Sequence, residues 1–188
     1  MHQSVAEDLY IGAGLGFIKT DTGFSNPIGT THIDEEDSGI KLFAGFQLNK
    51  NIAVQLHYAD LGEASVTGDN GDRFDLRGTT FEFFNDGSKI SSEIESIGLS
   101  LLVGMDVAAS INPYIKFGLQ RWEIDVTVVS PSLVNESIND DDTEAFLGVG
   151  IDFKLAESVK LKLEFERYGI DDLDTNLFSA NLVYNFIN

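Results

Sequence analysis

One pattern constrains this chain more than any other. Large apolar residues alternate with small or polar ones in eight separate runs, and no helical periodicity competes with them. Period two marks a strand whose two faces meet different surroundings. In the first run Leu9, Ile11, Ala13, Leu15 and Phe17 share one face, while Gly12, Gly14 and Gly16 fall on the other. In the seventh, Val159, Leu161, Leu163 and Phe165 oppose Lys160, Lys162, Glu164 and Glu166. The runs predict strands at roughly 9–20, 39–48, 52–66, 93–105, 113–129, 143–154, 159–168 and 177–186.

The connections alternate in length. Short ones follow the second, fourth and sixth runs, at 49–51, 108–112 and 156–158. Long ones span 21–38, 67–92, 130–143 and 169–176. Short turns at one end and long loops at the other is the layout of a bacterial outer-membrane barrel. The predicted fold is all-β: a single domain over 1–188, forming an eight-stranded antiparallel up-and-down transmembrane β-barrel. No stretch approaches the roughly 18–20 apolar residues of a membrane-spanning helix, whereas a barrel strand needs only about 9–11 alternating ones.

Which face points outward separates a membrane barrel from a soluble lipocalin-like carrier. The bulky residues fill one face of every run; the other carries glycines, small polar groups and charges. Gly12, Gly14, Gly16, Gly98, Gly104, Gly148 and Gly150 suit a crowded lumen and make a poor solvent surface. The bulky face is therefore expected to meet lipid, with the closed sheet satisfying every backbone group.

Charge and composition narrow the function. The net charge of −19 argues against nucleic acid, which needs clustered Lys and Arg. There is no cysteine, so disulfides, thiolate metal sites and cysteine nucleophiles are excluded. The start shows no basic segment followed by an apolar one, so an exported chain of this kind is expected in its mature form.

Four stretches carry a family likeness: YIGAGLGF at 10–17; FAGFQLN at 43–49 running on to YADLG at 58–62; YIKFG at 114–118 with Trp122; and LEFERY at 163–168 with FSANLVYNF at 178–186. In this order and spacing the chain resembles the OmpA-like transmembrane domain family over essentially its whole length. The resemblance implies a lumen plugged by ion pairs, with Lys116, Asp152, Lys162 and Glu164 at the inward charge positions. Gln55 stands where the family usually has an acid, and Leu102 where it has a base. The family often carries a peptidoglycan-binding domain after the barrel; none is expected within these residues. Tyr184 and Phe186 fit the aromatic end of such barrels, with Ile187 and Asn188 extending past it.

The candidate lumen network comprises Lys116, Asp152, Lys162, Glu164, Lys160 and Glu166, expected to pair because buried charges must. Phe81, Phe83 and Phe84 in the second long loop and Trp122 near the outer end of the fifth strand are candidates for surface contact. Acidic clusters at 34–37, 69–72, 140–142 and 171–172 all fall on the long-loop side; Asp69, Asp72, Asp140 and Asp142 are the weak metal candidates, none with calcium-loop spacing. No catalytic cluster is assigned: His32 lies in a loop with Asp34 close by but no nucleophile can be assigned to it, and His57 faces the lumen alone. No cofactor is expected.

The leading functional expectation is a structural or cell-surface barrel, its lumen largely plugged and at most trace-conducting: a monomer in contact with the lipid bilayer and lipopolysaccharide, presenting its long acidic loops to an extracellular ligand or host surface, with both termini periplasmic. The alternative is a narrow diffusion channel for ions or small polar solutes.

Overall fold

The computed structural model describes residues 8–186 except 106, 108–109, 132–135 and 172. Its twelve strands are β1 (Asp8–Asp21), β2 (Phe24–Ile28), β3 (His32–Asp34), β4 (Glu36–Asn49), β5 (Ile52–Gly68), β6 (Arg73–Leu76), β7 (Thr79–Glu82), β8 (Ser88–Gly104), β9 (Ile111–Val129), β10 (Glu136–Lys154), β11 (Val159–Ile170) and β12 (Leu173–Asn185). Eight of them, β1, β4, β5 and β8–β12, form an antiparallel ring closed between β1 and β12, where Tyr10 pairs with Asn185 and Lys19 with Asn176. Closure leaves no open sheet edge, the condition for crossing hydrocarbon with strands.

Exposure decides which face is outside. Leu15 is 70% exposed and Leu147 66%, while Lys41 and Glu166 are 0%. A barrel built for water would show the reverse. The outward belt is apolar up to Phe17, Leu119 and Phe165; the next outward positions are Lys19, Arg121 and Arg167, each paired with an acid. These residues mark the belt's edge on the long-hairpin side. At the other edge the rings of Tyr184 and Phe186 meet edge to face at 5.1 Å, as in the aromatic girdles of such barrels.

All eight sequence-predicted strands are present, but most of the boundaries on the long-hairpin side move outward. β8 begins at Ser88 rather than near 93, β10 at Glu136 rather than 143, β11 runs on to Ile170 and β12 begins at Leu173. The expected loop at 130–143 is therefore largely strand, and 140–142 lies on β10 opposite Trp122, Glu123 and Ile124. Above the lipid belt both strand faces need no lipid-facing apolar residue, so alternation fades while backbone pairing continues. The expected turn at 108–112 is described only in part; Ile111 and Asn112 already belong to β9.

The first two long loops also fold. β2, β6 and β7 make a small sheet, and β3 adds to the outer end of β5. Phe74 packs between Phe24, Phe81 and Phe83, with ring centroids 5.2–5.7 Å apart. Asp72 ties the base of this sheet: its Oδ2 accepts from the Thr30 amide at 3.1 Å, the Thr30 hydroxyl at 2.5 Å and the Asp69 amide at 2.9 Å. Gly29 makes that approach possible. It sits at φ +82°, and a Cβ there would lie 1.8 Å from Asp72 Oδ1.

Candidate functional site

The lumen is layered along the barrel axis. Nearest the short turns, Tyr10, Phe43, Ala53, Leu102, Tyr114 and Val183 form one buried apolar cluster. Nearest the long hairpins, Trp122, Phe146, Tyr168, Ile18, Ile170 and Leu177 belong to another. Between them lies a polar layer whose core is four charges, each at most 1% exposed.

Those four are Lys41, Lys116, Glu164 and Glu166. Lys41 Nζ lies 2.7 Å from Glu164 Oε2 and also contacts Glu166 Oε2. Lys116 Nζ lies 2.7 Å from Glu166 Oε1 and 3.8 Å from Glu164 Oε1. Asn181 Nδ2 donates to Glu164 Oε2 at 3.3 Å. Two ammonium groups against two carboxylates leave the layer with balanced charge, the arrangement that offsets the desolvation of each ion.

Glycines let the charges meet. Gly148 is the cross-strand partner of both Lys116 and Glu166, so it separates base from acid in one row of the sheet. A Cβ on Gly148 would come within 2.9 Å of Glu166 Cγ. Lys41 pairs with Gly14, which pairs in turn with Asn181. Gly14 on β1 thus leaves space for the Lys41 side chain to reach β11.

The expected network is divided. Lys116, Glu164 and Glu166 join the quartet. Asp152 and Lys162 form a separate pair nearer the short turns, 3.1 Å apart, with Lys162 Nζ 4.1 Å from the Tyr114 ring centroid. Lys160 is half-buried and lines a cavity of about 230 Å³ at that mouth together with Lys50 and Asn185. The second base of the quartet is Lys41, absent from the expected network; it is buried on β4 between the outward-facing Ile40 and Leu42. Leu102 and Gln55 occupy other levels: Leu102 is in the lower apolar cluster, and Gln55 Oε1 accepts from the Tyr10 hydroxyl at 3.2 Å.

Of the surface candidates, Phe84 is 79% exposed and Phe81 44%. Phe83 and Trp122 are turned inward, Phe83 into the small-sheet cluster and Trp122 into the upper lumen. Inward positions alternate along β9, and Trp122 shares the parity of Lys116 and Gln120, the signal that places it inside. Asp69 and Asp72 spend their carboxylates on backbone amides and on Thr30, and Asp140 and Asp142 lie exposed on β10. Among the described residues no group of three or more His, Asp or Glu is arranged to hold a metal. His57 is buried edge-on to Phe146 at 4.9 Å, and His32 is exposed on β3.

Residues 1–186 match the family model of the outer membrane protein β-barrel domain. The chain belongs to this family. It is also 23% identical over 186 residues to outer membrane protein A of Salmonella typhi, covering 94% of this chain and 48% of that protein, and matches the Shigella flexneri protein to the same extent. The chain thus spans about half the length of the curated relatives it matches.

Solved barrels share the fold at low identity. Ail of Yersinia pestis, in complex with the heparin analogue sucrose octasulfate, superposes with a TM-score of 0.59 at 12% identity, covering 96% of this chain and 99% of Ail. Neisserial surface protein A gives 0.58 at 15%, and the N-terminal β-barrel domain of Pseudomonas aeruginosa OprF gives 0.56 at 13%; each comparison covers 95% of this chain and 97% of the other. Membership of this family makes the chain a bacterial outer-membrane protein, with its apolar belt in the bilayer.

Proposed function

We propose that this barrel is a non-enzymatic, cell-surface member of its family whose lumen is closed by the Lys41–Lys116–Glu164–Glu166 quartet and whose long hairpins face the outside of the cell. The quartet carries the reading of closure: four charges, none more than 1% exposed, packed between two apolar layers. Eight strands enclose little more than side-chain volume, so filling one layer is enough to stop solvent.

Loop length supports the orientation, since extracellular hairpins of such barrels are long and periplasmic turns short. The exposed rings of Phe81 on the small sheet and of Phe84 just past its last strand supply an apolar contact surface beyond the membrane. A net charge of −19 repels polyanions, so a sulfated sugar of the kind bound to Ail is a poor fit here. Neutral or cationic surfaces suit this rim better.

The chain has no cysteine, so single thiols report access cleanly. Asp86→Cys on the long-hairpin side should react with an impermeant maleimide on intact cells, and Glu157→Cys in a short turn only after lysis. Ser179→Cys, in the polar layer, should resist a small maleimide in the folded barrel. Rapid labelling of Ser179→Cys would contradict closure; labelling of Glu157→Cys on intact cells would invert the orientation.

A further inference from the structure

Above the lipid belt the lumen widens into a cup of about 390 Å³ that no residue of the charge quartet lines. Trp122 contributes to its floor. One wall is the extended part of β9, with Ile124 and Val126, and the other comes from the small sheet, with Phe24 and Leu76. Ile124 and Val126 alternate along β9 with Glu123 and Asp125, which take the opposite face. That outer face is charged, so this stretch stands in water and its apolar inner face is not in lipid. Apolar side chains left lining an open cavity in water mark a binding site more often than an accident of packing.

Charge selects the occupant. Asp140 and Asp171, both exposed, line the same cup, against a single cation, Arg77, among the lining residues. The surrounding molecule carries a net charge of −19. We propose that this cup binds small amphiphilic cations: molecules with an aromatic or short aliphatic body, seated against Ile124, Val126, Phe24 and Leu76, and one ammonium group directed to Asp140 and Asp171. The volume falls within the roughly 300–1,000 Å³ typical of small-molecule sites. Binding at this cup is independent of lumen closure below it, so either reading can fail alone.

Trp122 is the chain's only tryptophan and so reports on the cup directly. The full chain in phosphatidylcholine nanodiscs is titrated with 4-bromobenzylamine, 4-bromobenzyl alcohol and 4-bromobenzoate, whose bromine quenches indole emission on contact. The expected result is saturable quenching, tightest for the ammonium and weakest for the carboxylate. Asp140→Asn with Asp171→Asn should bring the ammonium to the level of the alcohol while leaving alcohol binding intact. Ser92→Phe, which places a ring in the cup, should weaken all three at least about tenfold, a measurable step in dissociation constant. Ala64→Leu serves the same purpose if Ser92→Phe fails to fold, as judged by heat-modifiable gel mobility. Linear, non-saturating quenching that is equal for the three probes and unchanged in the filled variant would overturn the proposal. Saturable binding that favours the carboxylate would overturn it as well.

Discussion

Lys41 Nζ lies 2.7 Å from Glu164 Oε2, although 123 residues separate them in the chain. The two strands involved, β4 and β11, are held apart in the ring by β1 and β12. The contact therefore crosses the lumen, and the barrel must close before it can form. Lys41→Met leaves two buried carboxylates facing one ammonium, and should destabilise the barrel by about 3–5 kcal/mol in urea unfolding from micelles. Glu157→Ala, in an exposed turn, should stay within about 0.5 kcal/mol. Adding Glu164→Gln to Lys41→Met restores a one-to-one balance and should recover part of the loss. A double variant no more stable than the additive sum would show that the pair is not coupled.

Space on the lumen side gives a second expectation. A Cβ at Gly118 would meet the Leu99 carbonyl oxygen at 2.2 Å and Ser100 Cα at 2.8 Å, both backbone atoms held in the ladder. At Gly104 the nearest atom is 3.4 Å away. Gly118→Ala should therefore cost about 1–3 kcal/mol as an overpacked site. Gly104→Ala should be nearly neutral in the same unfolding assay, and equal effects would show that lumen crowding does not govern these positions.

Acid should loosen the small sheet before the barrel. The Thr30 hydroxyl, then the Asp69 amide, donate to the Asp72 carboxylate and hold its pKa below the ordinary aspartate range. A depressed acid contributes stability that is fully present above its unfolded-state value and is lost as pH falls through the folded one. The Thr30 and Asp69 amide resonances should thus be constant at neutral pH and shift together below the ordinary aspartate range. Asp72→Asn should abolish that titration. A common midpoint in the normal aspartate range would show that the Thr30 and Asp69 donors do not favour the ionised carboxylate.

Protease added to intact cells tests the hairpin topology. Cleavage is expected at exposed connections such as 69–71 and 85–87, where the chain leaves one strand and enters the next. The extended part of β10 should resist more than a free loop, because Glu136–Asp142 is paired with Trp122–Val128 of β9. Cuts confined to 49–51 and 156–158 would place the short turns outside.

The lipid-facing belt was the most legible part of the sequence. Leu9 to Phe17 and Leu147 to Phe153 alternate cleanly because lipid demands an apolar residue at every outward position. Strand ends beyond the belt were less legible. At 136–142 the residues Asn139 to Asp142 read as loop, yet hydrogen bonding to β9 continues through them. The quartet was legible in part for a related reason. Alternation placed Lys116, Glu164 and Glu166 on inward faces, but the height at which each enters the lumen follows from the stagger between strands. No local pattern encodes that stagger, so the Lys41 pairing and the separation of Asp152–Lys162 emerged only from the register. Trp122 was misjudged as surface because its aromatic character outweighed its inward parity.

Single-channel recording in planar bilayers tests lumen closure most directly. The unmodified barrel should show no large, stable conductance, because the four charges are paired and water-excluded between apolar layers. Lys41→Ala with Glu164→Ala, which empties the centre of the polar layer, should raise the frequency of small openings. Large, steady currents from the unmodified protein, unchanged in that double variant, would contradict the account.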